Sequence, residues 1–312
     1  RVPHLAFGAE LARGYHDRTR VFGGSQIVEN VGLLGAAATI GLIENAVDPR
    51  STMAAVAVWM AIAIVVALLG ASAFIRERPD FQTSDDAGSF GVFAQVLRNP
   101  HARLLLFVMF FDQAALAMVL GGLPFMSNWV ILTPGSTAIY MMCAVVTMML
   151  SIPLWILASR RFGKREVWMF AKLGLAVVLT GNLMLGAGDM PLLIFGTIVI
   201  GSMAACGAVV GPSIKADIID WDEAHSGARR EGAYFATWNF ATKGAAALGG
   251  WLIGMSLAVW GYDATLEAQT DDAILGIKIA VGVVPAVLNL LSFAILSRFK
   301  LDEKMHRETT GL

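Results

Sequence analysis

The sequence predicts an all-helical protein that crosses a lipid bilayer several times. Three observations predict it. Of 312 residues, 56% are hydrophobic and only 15% charged, against about 25% charged in soluble domains. The apolar residues fall in runs of twenty or more, where a soluble fold would spread them in amphipathic stripes. The basic residues gather in alternate gaps between those runs.

Arg1–Arg20 opens with VPHLAFGAEL, which reads as the last turns of an apolar helix, and continues into a charged loop with Glu10, Arg13, Asp17 and Arg18. Eight spans are expected: Val21–Val47, Ser51–Phe74, Ala102–Leu132, Ser136–Ala158, Val167–Leu185, Leu192–Ala216, Gly232–Trp260 and Ala273–Leu296. Several exceed the roughly 20 residues a span needs, so tilt or protrusion is expected. Between the second and third lies a connector. Its stretch SFGVFAQVLRN places Phe90, Phe93, Ala94 and Leu97 on one helical face, with Ser89 as cap and Asn99-Pro100 as stop. That spacing suits a helix lying in the membrane interface or a plain surface helix.

The expected organisation is therefore 1–75 as the end of a first helical half, 76–101 as connector, 102–297 as a second half and 298–312 as tail. Nineteen of the 23 lysines and arginines lie in alternate loops, and the intervening loops hold only Arg50. By the positive-inside rule the basic loops, and with them both ends of the sequence, are cytoplasmic. Lys172, Lys243 and Lys278 fall within spans. Lys172 and Lys278 are close enough to span ends to snorkel.

Lys243 is the most informative of these. Thirteen steps from Arg230, at ~1.5 Å each, place it roughly 20 Å into a ~30 Å hydrocarbon core. An ammonium there costs on the order of 2.5–3.5 kcal/mol on insertion scales unless it faces a protein partner or a wet cavity. Glu29 and Asn30, counted from Arg20, and Asp112, counted from Arg103, reach ~14–15 Å. All come out near the midplane, where a carrier must hold its substrate to open alternately to each side. Gln26, Glu29 and Asn30 share a face by i, i+3, i+4 spacing, and Asn239, Thr242 and Lys243 repeat that spacing. An alternative is that Glu29 or Asp112 neutralises Lys243 in a static ion pair. Gln113 and Asp112 are equally compatible with structural hydrogen bonding. Gly207/Gly211 and Gly250/Gly254 are GxxxG pairs suited to close helix contact.

Glu10–Gly35 and Asp217–Gly249 share a layout of acid, polar loop, paired arginines and a span with polar residues. If they are equivalent, each opens the fifth span of a six-span half. Four spans then precede Arg1, and the intact protein has twelve. The two cysteines, Cys143 and Cys206, sit in separate apolar runs without metal or redox spacing. The five histidines show no HExxH pairing, and no nucleophile elbow or phosphate-cradling loop is present. These absences weigh against an enzyme.

The stretch ADIIDWDEAHSGARREGAYFATWNFATKG, with VPHLAFGAEL, DRTR, FAQVLRNPHARLLLF, SRRFGKR and SRFKLDEKMHRE, resembles the glycoside-pentoside-hexuronide:cation symporters. These are the melibiose-carrier branch of the major facilitator superfamily. The resemblance covers essentially the whole sequence. It implies cation-coupled (Na⁺ or H⁺) symport of a sugar or glycoside by a monomeric carrier in the cell (inner) membrane. No cofactor, no bound metal and no nucleic-acid partner are implied. Substrate-contacting positions map onto Gln26, Glu29, Asn30, Trp238, Asn239, Thr242 and Lys243, with thinner support for Asp112 and Gln113. The coupling ion belongs largely to helices of the first half. A sugar-binding acid aligns with Arg1 and an aromatic with Leu5, departures that favour a substrate other than a melibiose-like galactoside. A lipid or organic anion carried on the same fold, or a non-transporting receptor, stays open. Glu10, Arg18, Asp217, Asp220, Glu223 and Arg229 would form the cytoplasmic gate, where single surface pairs contribute only ~0–1 kcal/mol and several must act together.

Overall fold

The computed structural model describes residues 31–74, 96–226 and 231–299. Among these the chain is helical throughout, with no strand. It divides into two compact units, Arg1–Ser89 and Phe90–Leu312.

In the first unit, α1 (Val31–Glu44) is followed by α2 (Pro49–Phe74). Asp48 organises the turn between them. Its Oδ1 accepts from the backbone N–H groups of Arg50 (3.1 Å) and Ser51 (3.4 Å), satisfying donors that the first helical turn leaves orphaned. The hydrogen bonding from Ser51 holds the Asp48 carboxyl below its ordinary range.

The second unit begins with α3 (Pro100–Phe125), which runs on as a π-helical turn, Met126–Val130. Of the helix expected before it, only 96–99 is described. Asn99 serves as the N-cap of α3, its side chain accepting from His101 and Ala102 N–H, while its Nδ2 donates to the Tyr234 hydroxyl at 2.9 Å. Pro124 interrupts the ladder shortly before the π turn; a proline lacks an N–H and crowds the carbonyl four residues back. The same device recurs in the last helix.

Next come α4 (Thr137–Phe162), α5 (Lys164–Gly181), α6 (Met190–Ser226), α7 (Glu231–Val259) and α8 (Asp271–Leu296). Helix α8 has its own π turn, Ile279–Val283, just before Pro285. Gly163, at φ 93°, makes the break between α4 and α5 that a Cβ would oppose.

One expectation changes. Residues 217–226, read as a charged loop, continue α6 as helix. No glycine or proline interrupts KADIIDWDEAHS, and Ile218 and Ile219 are buried, so an apolar stripe keeps the helix packed. At 37 residues α6 is about 55 Å long and projects well past a ~30 Å core. The count of eight spans is not confirmed. Six helices among the described residues are long and apolar enough to cross a membrane. The described part of α1 is too short, and α7, though 29 residues long, is not apolar enough to be one of them. Its run of Lys243, glycines and small polar residues dilutes its hydropathy.

Within the second unit α4 packs on α6, α6 on α5, α5 on α8, α8 on α3, and α3 on α7. Several contacts allow no side chain. A Cβ on Gly201 of α6 would lie 2.1 Å from the Ala144 carbonyl oxygen of α4, and one on Gly249 of α7 would lie 2.6 Å from that of Ala114 in α3. The basic loops converge on one end. There Lys164 pairs with Asp217 at 2.5 Å, and Arg165 donates to the carbonyls of Leu296 (3.0 Å) and Ser297 (2.5 Å). His101 packs edge-on against Trp221 and Phe299. A core containing Leu105, Trp168, Ile218, Tyr234 and Trp238 lies beside this end.

Candidate functional site

Three helices of the second unit bring polar side chains together inside the apolar bundle. Asp112 comes from α3, Lys172 from α5 and Ser292 from α8. Lys172 Nζ lies 2.6 Å from Asp112 Oδ2, and Ser292 Oγ donates to Asp112 Oδ1 at 2.8 Å. The Val108 carbonyl, one turn before Asp112, is 3.4 Å from the same hydroxyl. Both side chains of the pair are largely withdrawn from solvent, 7% exposed for Lys172 and 18% for Asp112. The ammonium also lies over the Trp168 ring, 5.7 Å from its centroid. Trp168 is one turn before Lys172, so the two share a face of α5.

This overturns the reading of Lys172 as a snorkelling residue. Eight steps from Lys164 put it ~12 Å from the basic end, too far inside for its ammonium to return to water once α3 and α8 close over it. The static pairing considered for Asp112 with Lys243 is replaced by pairing with Lys172. Sequence reasoning passed over Lys172 and Ser292. Two opposite charges in separate spans at similar depth were the available signal.

The other sequence-predicted residues are placed as follows. Gln113 is half-buried beside Asp112 on α3. Trp238 is only 1% exposed. Its ring lies 5.4 Å from Lys215 Nζ and packs with Tyr234 and Phe235, so in this conformation it is a core residue. Asn239 and Thr242 are half-buried, the Thr242 hydroxyl donating to the Asn239 carbonyl at 3.1 Å. Lys243 is exposed and makes no ion pair among the described residues. At the basic end Asp217 is held by Lys164, Asp220 is exposed and Glu223 half-buried. Gln26, Glu29, Asn30, Glu10, Arg18 and Arg229 lie outside the described residues. No group of three or more His, Cys, Asp or Glu side chains among the described residues could hold a metal ion.

The glycine pairs divide. Gly207 and Gly211 lie beneath the Trp168 indole, where a Cβ on Gly207 would stand 3.2 Å from Nε1. They make room for the ring that lines the Lys172 site. Gly250 and Gly254 meet nothing within 4 Å.

The model of the family described as MFS/sugar transport protein matches residues 1–303. The chain belongs to this family. The expected relationship to the glycoside–cation symporters of the major facilitator superfamily is thereby shown. Among curated relatives in the MFS group, "Putative glycoside/cation symporter YagG" of Escherichia coli (strain K12) is 38% identical over 90 residues, 29% of this chain and 20% of that protein. "Uncharacterized symporter YjmB" of Bacillus subtilis (strain 168) is 36% identical over 97 residues, 31% of this chain and 21% of that protein. "Glucuronide carrier protein homolog" of Escherichia coli (strain K12) is 31% identical over 96 residues, 31% and 21% of the two chains. The matched stretches thus span about a fifth of each relative's length. Membership in this transport family, with six apolar helices, makes the chain an integral, multi-pass membrane protein.

Proposed function

We propose that this chain carries a sugar or glycoside across the cell membrane by alternating access, in symport with Na⁺ or H⁺. The observation that carries the reading is the match of residues 1–303 to a sugar-transport family of symporters. A monomer in the inner membrane, with its basic loops cytoplasmic, accords with the loop charges. Gln26, Glu29, Asn30, Asn239, Thr242 and Lys243 hold the substrate. Trp238 and Gln113 flank them, and Asp112 acts through its pairing with Lys172. Glu10, Arg18, Asp217, Asp220, Glu223 and Arg229 close the cytoplasmic side. No cofactor takes part.

A second reading, transport of an organic anion, is favoured by one feature. Lys243 is an exposed cation on α7 without an anionic partner among the described residues. Two relatives are named for acidic solutes, a glucuronide carrier homolog and a 2,3-dihydroxypropane-1-sulfonate exporter. A sugar acid would satisfy both readings.

The test is uptake into vesicles containing the intact protein. A labelled neutral glycoside and a labelled glucuronide are offered under Na⁺ and proton gradients in turn. Accumulation of either solute that follows one gradient and collapses with it supports symport. Binding without counterflow would make the protein a receptor instead.

A further inference from the structure

A carboxylate held in a low-dielectric bundle must be neutralised by a proton, a metal ion or an internal cation. At Asp112 the third has happened, yet the remaining groups are those a hard metal ion prefers. The Ser292 hydroxyl lies 2.8 Å from Asp112 Oδ1 and 3.4 Å from the Val108 carbonyl, while the other carboxylate oxygen, Oδ2, holds the Lys172 ammonium at 2.6 Å. Oxygen sets of carboxylate, hydroxyl and backbone carbonyl suit hard cations. Ser292 is fully buried and spends its proton on Asp112, which leaves its lone pairs for a positive ligand. A carbonyl oxygen has a second lone pair beyond its helix bond. The Lys172 ammonium, a compact point charge on a flexible stem, supplies the required positive charge and lies over the Trp168 ring. Asp112 keeps 18% of its side chain accessible, so an ion has a way in.

We propose that Asp112, Ser292 and the Val108 carbonyl form a monovalent-cation site within the second unit, and that the Lys172 ammonium is its built-in occupant. Removing the ammonium converts the site into one that binds Na⁺ from solution. The proposal rests on the carrier reading only for its consequence: this half brings its own fixed cation, and the exchangeable coupling ion is left to carboxylates elsewhere.

The experiment uses the intact protein in detergent, with choline chloride as the background salt. Radiolabelled Na⁺ binding is measured for wild type, Lys172→Met and Asp112→Asn/Lys172→Met. Lys172→Met is expected to bind one Na⁺ per chain more than wild type, and the double variant to lose that gain. In the binding range, each tenfold rise in Na⁺ should raise the Tm of Lys172→Met by about 3–5 °C more than that of wild type. A folded Lys172→Met protein with no added Na⁺ binding overturns the proposal. Should Lys172→Met fail to fold in choline, recovery in Na⁺ supports the site. Failure in both salts while the double variant folds overturns it. Because the readout is binding and not uptake, this result and that of the vesicle test fail independently.

Discussion

Neutralising one member of the Asp112–Lys172 pair should destabilise the bundle far more than neutralising both. At 2.6 Å the attraction is about 6 kcal/mol at an effective dielectric of ~20. Side-chain exposures of 7% and 18% leave little solvent to screen it. Asp112→Asn keeps the shape but strands the Lys172 ammonium and turns the Ser292 hydrogen bond from charged to neutral. Lys172→Met strands the carboxylate. Breaking a buried pair from one side costs about 3–5 kcal/mol, whereas replacing both partners is often near neutral. At about 2–4 °C per kcal/mol, each single variant should lose roughly 6–20 °C in Tm. The double variant Asp112→Asn/Lys172→Met should recover most of that, for a coupling energy of about 2 kcal/mol or more. Thermal unfolding of the detergent-purified protein in choline chloride reads all four corners of the cycle. A double variant whose loss equals the sum of the singles, within about 0.5 kcal/mol, would refute the buried pairing.

Gly201→Ala should cost about 1–3 kcal/mol, since its new Cβ meets the Ala144 carbonyl, and Gly254→Ala should be neutral or stabilising by up to ~1 kcal/mol, because it meets nothing; Tm measurements on both variants check the contrast. Lys243→Ala should raise the KM for an acidic substrate about tenfold to a hundredfold, the loss of one charge-assisted hydrogen bond of about 1.5–3 kcal/mol, and leave Tm within a few degrees of wild type; uptake kinetics test it. The Asp263 carboxyl is held below its ordinary value of 3.8 by hydrogen bonds from the Thr265 backbone and hydroxyl. A lowered carboxyl contributes stability above its unfolded pKa and loses it as pH falls through the folded one. Asp263→Asn should therefore lower Tm slightly at neutral pH, and the gap to wild type should close as pH falls below 3.8, which flattens the acid limb of the Tm–pH curve.

The helical membrane class, the positions of most spans in the second unit and the segregation of basic loops were all legible in the sequence. Each follows from one-dimensional quantities: run length against bilayer thickness, and charge counted by loop. The family was legible too, carried by the long motif across α6 and α7. Span ends were less so. Residues 217–226 carry five ionisable groups and read as a loop, yet they stay helical because Ile218 and Ile219 find a core to pack into.

Which buried charges meet was decided by the tertiary structure alone. Depth along a helix can be counted from sequence, but rotation about the bundle axis cannot, and partners are chosen by rotation. Helix α8, lying against both α3 and α5, brings Ser292 to Asp112, and Lys172 turns inward to complete the pair. Lys243, at comparable depth on α7, points elsewhere. The same geometry gave the two GxxxG pairs different fates, one filled by an indole and one open, because spacing records a smooth face and only packing says what covers it.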